Sequence, residues 1–321
     1  MNFKTSFVCE SQTTNNIITS ATFLEREQEL IDELRVTFGS LPDFAENMQG
    51  EKRWLDNNRR LRELVTKEDL RRFLQWDVIK RTMEVGDADF IEGELNFLRD
   101  RSNWSRWQQA INEVPIGKPT LSRLYPASSG NLIHHAYHVA QFEDRTGVNI
   151  RDVRYVFEFG GGYGGMYRLI HNLDFEGKYV IFDFPEFSAL QRYFIQSIGL
   201  EIHTVESFKT AKNGVICISD LPALEMLLAE CVPEDNGLFL ATWSLSECPL
   251  SFRSEILSLL TQFKNFLIAY QGQFEGNDNV DFFDNWRNGK QQFDWHHYKI
   301  GHIPNQFYGD NFYLFGKINL G

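Results

Sequence analysis

The sequence predicts an α/β fold: a doubly wound, mainly parallel sheet of seven strands, preceded by an N-terminal helical region. Three observations lead there. From about residue 153 onward, short β-branched and aromatic runs alternate with helical stretches, which implies right-handed crossovers within one sheet. A glycine cluster at residues 160–165 falls between the first of these strands and the first of these helices. Residues 17–112, by contrast, show helical spacing and no convincing strand.

Taken in order, residues 1–16 are rich in Ser, Thr, Asn and Gln and read as a poorly ordered start. Over residues 22–38, Leu24, Ile31, Leu34 and Phe38 recur at helical spacing, and Gly39 followed by Leu41-Pro42 stops the helix. Thr66-Lys67-Glu68-Asp69 resembles a capping box and predicts a second helix through Leu70, Phe73, Leu74 and Val78. Further helices are expected over 88–99 and 104–112. Pro, Gly and Ser then mark a linker, followed by a histidine-bearing helix over 132–145 that Gly147 closes. The expected organisation is therefore a helical region over 1–113, a linker and His-bearing helix over 114–150, and a ligand-binding α/β domain over 151–321.

Within that last part, strands are expected at 153–159, 179–182, 201–205, 215–218, 238–243 and 266–270. Helices are expected at 166–172, 186–198, 223–230 and 252–263. Residues 298–303 and 311–318 are strand-like and separated by Pro and Gly, which predicts a terminal antiparallel hairpin.

Composition narrows the function classes. Apolar residues make up 42% and charged residues 24% of the 321 residues, ordinary for a globular protein with a core. Lys and Arg total 32 against 44 Asp and Glu, a formal net charge of −12. That field opposes DNA, RNA or anionic membrane, although Arg59-Arg60-Leu61-Arg62 and Arg71-Arg72 are locally basic. It favours a neutral or weakly charged small acceptor. No apolar run reaches the length of a bilayer span, and the first ten residues do not form a signal peptide, so a cytoplasmic location is expected. Cys9, Cys217, Cys231 and Cys248 stand far apart without a Cys-x-x-Cys pair and read as small buried hydrophobes.

The informative stretch is Glu158-Phe159-Gly160-Gly161-Gly162-Tyr163-Gly164-Gly165. Glycines permit a tight turn and a close approach of backbone to ligand, and the following helix N-terminus offers free N–H groups. Gly160-x-Gly162-x-x-Gly165 fits a dinucleotide fingerprint, and Glu158-x-Gly160-x-Gly162-x-Gly164 fits an S-adenosylmethionine fingerprint. Asp183, ending the second strand, serves either reading by accepting ribose hydroxyls. Three features favour the methyl donor: an acid two residues before the first glycine, a long helical segment ahead of the motif, and the antiparallel ending of the sheet. A nicotinamide-dependent oxidoreductase, or a non-catalytic interaction protein on the same scaffold, stays as the alternative.

The stretch 156–166 resembles the first motif of the sugar O-methyltransferases associated with bacterial polysaccharide and glycoside biosynthesis. Phe182-Asp183-Phe184-Pro185 resembles that family's segment after the second strand, and Thr242-Trp243-Ser244-Leu245-Ser246-Glu247 its Ser-x-x-Glu stretch. Ser128 to His138, with Asn131, His134, His135 and His138, resembles the segment preceding its glycine motif. The resemblance covers about residues 115–320. It implies a Rossmann-like class I methyltransferase domain, S-adenosyl-L-methionine as cofactor, and a hydroxyl of a sugar or glycosylated metabolite as acceptor.

Glu158, Gly160, Gly161, Gly162, Tyr163, Gly164, Asp183 and Phe184 are then expected at the cofactor, with Phe184 shaping the adenine pocket. Asp220 either bonds the adenine amino group or caps the helix after it. Trp243 offers a carbonyl to the cofactor and a ring to a sugar. A sugar hydroxyl needs a base to take its proton. Glu247 and His138 are the leading candidates, with His135 close behind; His134, His296 and His297 are further histidines within reach of the site. His134-x-x-x-His138 has metal-ligand spacing on a helix, but with no third ligand located no metal is assigned. The N-terminal helices are expected to form a lid over the acceptor, an oligomer interface, or both. Trp54, Trp76, Trp104 and Trp107 there read as core.

Overall fold

A computed structural model of the chain describes residues 11–42, 52–231, 236–304 and 309–319, with side chains from residue 25 onward. Cys9 and most of the polar start lie outside the described residues.

The N-terminal part is helical: α1 (Ser11–Ser40), α2 (Lys52–Lys67), a 3₁₀ turn (Leu70–Gln75), α3 (Asp77–Met83), α4 (Phe90–Arg99), α5 (Trp104–Ala110) and α6 (Gly130–Thr146). Helix α1 begins at Ser11, so residues 11–16 belong to it rather than to an irregular start. Leu30, Ile31, Leu34 and Phe38 are buried along one stripe of α1, as an amphipathic helix requires. The expected capping box at Thr66 is absent because Thr66 ends a helix instead of starting one. Its hydroxyl bonds back to the Arg62 carbonyl at 2.9 Å, and Asp69 caps the 3₁₀ turn through Arg71 N–H. Ser129 caps α6 through Leu132 N–H, and Gly147, at φ 69°, closes it in the left-handed conformation.

The second part alternates β1 (Tyr155–Phe159), α7 (Gly165–Asn172), β2 (Lys178–Phe182), α8 (Pro185–Ser197), α9 (Val205–Thr210), β3 (Gly214–Ile218), α10 (Leu221–Cys231), β4 (Gly237–Thr242), α11 (Leu250–Ser258) and β5 (Asn265–Gln271). A two-residue hairpin follows, β6 (Gln273–Phe274) with β7 (Asn277–Asp278), then α12 (Asn279–Asn288), β8 (Phe293–Lys299) and β9 (Asn311–Ile318). Seven strands form one sheet in the order β3-β2-β1-β4-β5-β9-β8. The first five are parallel; β9 runs antiparallel between β5 and β8.

Two strand expectations change. Residues 201–205 contribute a single bridge, Ile202 to Val215, because Thr204 and Ser207 form a capping box that starts α9 at Val205. The hairpin's first strand is Phe293–Lys299, upstream of the expected 298–303. Phe293 and Trp295 pack on one sheet face and Tyr298 on the other, the period-two alternation of a pleated strand.

Every residue of β1 and β5 is buried, as expected where helices cover both faces of a parallel sheet. Under one face, Tyr155, Phe157, Phe239 and Phe266 pack with α9 to α12. Under the other, Val156, Tyr179, Ile181 and Leu240 join α6 to α8 and continue without a break into the N-terminal helices. The chain's 28 phenylalanines are spent largely here. Of the described cysteines, Cys217 is buried and Cys231 and Cys248 are partly so; all three are free thiols.

Polar links also tie the helical part to the sheet part. Arg62 of α2 reaches Glu186 in the first turn of α8 through Nε at 2.7 Å, and Glu186 is fully buried. Removing one partner of a buried ion pair leaves the other charge uncompensated. Arg62→Ala is therefore expected to lower unfolding free energy by about 3 kcal/mol. The double variant Arg62→Met/Glu186→Leu should lose less. Urea denaturation of both, with equal losses as the contrary result, checks this.

Candidate functional site

The carboxyl ends of β1, β2 and β4 open onto a cavity of about 570 Å³, roofed by Pro42, Trp54 and Met83 from the N-terminal part. This is where open α/β sheets hold ligands, beside the strand at which the order reverses.

The glycine turn forms its floor. Gly160, Gly162 and Gly164 have φ of 73°, 58° and 94°, conformations that cost any other residue. A Cβ on Gly160 would stand 2.3 Å from Ser244 Cβ, and one on Gly161 would stand 2.4 Å from Ile181 Cγ2. These side-chain-free positions keep the floor open and let the β1 and β4 ends pack together. The Ser244 hydroxyl locks the two ends further by donating to the Phe159 carbonyl. Tyr163 turns inward, and its hydroxyl accepts from Asn131 Nδ2 of α6 at 3.2 Å.

Two carboxyls flank the turn. Asp183 Oδ2 accepts from Gly162 N–H and from Gln191 Nε2, both at 3.0 Å, and Oδ1 accepts from Phe184 N–H at 2.8 Å. Glu158 Oε2 accepts from the Tyr179 hydroxyl at 2.8 Å; among the described residues Oε1 has no partner. Burial raises the Glu158 carboxyl to about 8 and that of Asp183 to about 7, outweighing the hydrogen bonds that favour ionisation. The pocket thus holds two carboxyls in want of a cation or of further donors.

The wall after β4 is strained. Trp243 has φ 70° and ψ −41°, a conformation rare outside glycine. Its carbonyl accepts from Ser246 N–H at 3.1 Å and Ser246 Oγ at 2.6 Å, and the residue lines the cavity. Phe184 lines the cavity and stacks on Trp54 with ring centroids 6.3 Å apart. Asp220 is exposed and caps α10 through Ala223 N–H at 2.9 Å; its neighbours Ser219 and Leu221 line the cavity in its place.

The proton-acceptor candidates separate clearly. Glu247 lines the cavity, but Oε2 accepts from Trp54 Nε1 at 3.0 Å and Oε1 from Gln271 Nε2 at 2.7 Å. It joins the roof to the wall, and burial raises its carboxyl. His138 is fully buried behind the wall, with Nδ1 hydrogen-bonded to the Tyr313 hydroxyl, and burial holds its ring neutral. His135 lines the cavity; burial drives it down to about 3, and its Nδ1 is buried without a partner. His297 pairs instead with Tyr270 at 2.6 Å on the far sheet face. Among the described residues no three His, Cys, Asp or Glu side chains converge as a metal site requires.

Sequence reasoning missed Glu94. This fully buried acid of α4 lies within 2.9 Å of His134 Nδ1 through both oxygens, and His134 lines the cavity. The signal was present: Glu94 sits among Ile91, Leu95 and Leu98 on the apolar stripe of α4, where a carboxylate needs a buried partner. Trp54, expected as core, was missed as roof.

No family model and no curated protein matches the chain. Solved structures do. The N-terminal domain of human METTL16 in complex with SAH aligns over 58% of this chain and 71% of that one, at 10% identity and TM-score 0.40. Magnesium protoporphyrin IX methyltransferase from Synechocystis PCC 6803 with bound SAM aligns over 72% and 98%, at 11% identity and TM-score 0.36. The glycopeptide N-methyltransferase MtfA complexed with sinefungin aligns over 56% and 85%, at 10% identity and TM-score 0.37. At such identities and scores the likeness says nothing of cofactor or acceptor. The strand order read above is that of a Rossmann-like class I methyltransferase fold with an added helical N-terminal region.

The carboxyl shifts have a consequence for stability. Glu158 and Asp183 bind protons more tightly in the folded, ligand-free protein than in the unfolded chain. Their contribution is thus largest below the unfolded values and is lost as pH rises through about 7 and 8. Glu158→Gln keeps an acceptor for Tyr179 and removes the titration. Its thermal midpoint should exceed the parent's at pH 8.5 and match it at pH 4.5. A midpoint difference independent of pH would be the contrary result.

Proposed function

We propose that the protein is an S-adenosyl-L-methionine-dependent O-methyltransferase acting on a hydroxyl of a sugar or glycosylated small molecule. The observation that carries this reading is the pairing of Glu158 and Asp183 across a side-chain-free turn at the carboxyl ends of β1 and β2.

The residues present fit the cofactor. Asp183 retains lone pairs for the two ribose hydroxyls while its N–H donors hold it in place. Glu158 supplies a buried carboxylate toward the cationic amino-acid end, directly or through water, and a cation there would reverse the burial shift. Gly160, Gly161, Gly162 and Gly164 leave the backbone open to close approach, with Tyr163 folded away beneath it. Phe184, Leu221 and Phe252 form an apolar slot for adenine. When bound, the cofactor supplies an electrophilic methyl on a sulfonium. The chain orients the acceptor, excludes water under the Trp54 and Met83 roof, and takes up a proton. The aromatic faces of Trp243 and Trp54 favour a glycosyl acceptor, in line with the family resemblance.

The strand order favours this reading over a nicotinamide oxidoreductase. A dinucleotide fold continues in parallel through a second mononucleotide half, whereas here β9 inserts antiparallel after β5. No described helix is long and apolar enough to cross a membrane.

Titration calorimetry with S-adenosylmethionine, S-adenosylhomocysteine, NADH and NADPH tests the assignment. The first two are expected to bind and the nicotinamides not to; nicotinamide binding alone overturns it, and binding of none supports a non-catalytic scaffold. Asp183→Ala should weaken cofactor binding by about 1–3 kcal/mol, the scale of hydrogen bonds to a charged group. Unchanged affinity removes Asp183 from the site.

A further inference from the structure

We infer that Glu94 and His134 form the proton-accepting dyad of this site, with Nε2 of His134 as the atom that receives the acceptor's hydroxyl proton. The inference rests on the methyltransferase reading and adds to it a residue pair from the helical part of the chain.

Glu94 is sealed inside the protein between two imidazoles. Its carboxylate lies 2.9 Å from His134 Nδ1, and Oε1 lies 2.8 Å from His302 Nε2. Burial alone would push this carboxyl up; the charge of the two rings when protonated, and the hydrogen bonds they donate, hold it below the usual carboxylate range, so it accepts. A carboxylate facing Nδ1 places the ring proton on that nitrogen and leaves the Nε2 lone pair bare. Among the described residues Nε2 of His134 has no partner, and the ring lines the cavity beside Asn131 and Trp243. The indole of Trp243 lies nearly parallel to it, at 4° and 6.4 Å between centroids, and the buried His138 ring abuts it at 4.1 Å. The imidazole is thus fixed in tautomer, in plane and in direction, as a general base must be.

Among the described residues no other candidate combines these properties. Both Glu247 oxygens are engaged, His138 is walled off, and Nδ1 of His135 has no partner among the described residues. A buried acid between histidines also costs desolvation that an apolar core would avoid, and such groups concentrate at functional sites.

The step balances without a further reactant. The acceptor oxygen forms its bond to the methyl carbon as the carbon–sulfur bond breaks. Sulfur keeps that electron pair and becomes a neutral thioether, and the hydroxyl proton passes to Nε2, giving an imidazolium that Glu94 stabilises.

Long-range nitrogen–proton NMR of histidine-labelled protein at pH 8, with S-adenosylhomocysteine added, tests the tautomer. The expected result is His134 protonated at Nδ1 and bare at Nε2, with that preference weakened in Glu94→Gln, whose amide can face Nδ1 with either its oxygen or its NH2. A proton on Nε2 of the parent protein overturns the proposal. This measurement needs no acceptor, so it decides the case even if the probe acceptor is not turned over.

Methyl transfer to methyl α-D-glucopyranoside is the second arm. His134→Gln should lower kcat by about a hundredfold or more, the scale of losing a general base. Glu94→Gln should fall between that variant and the parent. Affinity for S-adenosylhomocysteine, measured by calorimetry, should stay within about threefold in both variants, which separates chemistry from binding. Retained affinity with turnover within about threefold of the parent overturns the dyad and leaves the methyltransferase reading standing. Failure of the parent protein to bind S-adenosylhomocysteine strikes the earlier reading instead.

Discussion

The hydrogen bond from Gly162 N–H to the Asp183 carboxylate holds the site together. It joins the turn after β1 to the end of β2, and Gln191 of α8 reinforces it by donating to both Asp183 Oδ2 and the Gly162 carbonyl. At Gly160, Gly161 and Gly162 the turn has no side chains with which to hold its shape, because φ or close packing excludes them. Those positions are held from outside, by Asp183 on one flank and Ser244 on the other, while Tyr163 anchors the end of the turn to Asn131. The acid at the end of β2 thus shapes the loop beside it.

A second constraint follows from the sheet. Parallel strands covered on both faces leave an opening at their carboxyl ends, and here that opening is covered. The N-terminal helices answer this through three polar contacts: Arg62 to Glu186, Trp54 to Glu247, and Glu94 to His134. Each joins an element before residue 100 to one beyond residue 130, and each includes a side chain that lines the cavity. The roof is thus part of the site's wall as well as its cover.

Charge and burial act together in that enclosed space. Glu158, Asp183 and Glu247 are all held above their usual range by burial, while Glu94, with two imidazoles against it, is held below. Burial sets the first three, whereas hydrogen-bonding imidazoles decide the fourth.

Much of this was legible in the sequence, for local reasons. Glycines between a β-rich run and a helix, an acid two residues earlier and Asp183 after the next strand are short-range patterns whose chemistry survives without coordinates. The alternation of strand and helix, and the antiparallel ending, came from periodicity in the same way. Where competing local signals met, the reading slipped: Thr66 ends a helix rather than capping one, and the Thr204–Ser207 box turns an expected strand into α9. What only the tertiary structure decided is which distant groups share a hydrogen bond. Glu94 and His134 are 40 positions apart, Trp54 and Glu247 are 193 apart, and His138 is tied to Tyr313 from 175 away. Spacing within one helix shows which histidines lie on a common face. Which of them meets a buried carboxylate and which meets a phenol depends on the packing of α4, α6 and β9, and that packing is set by the whole core.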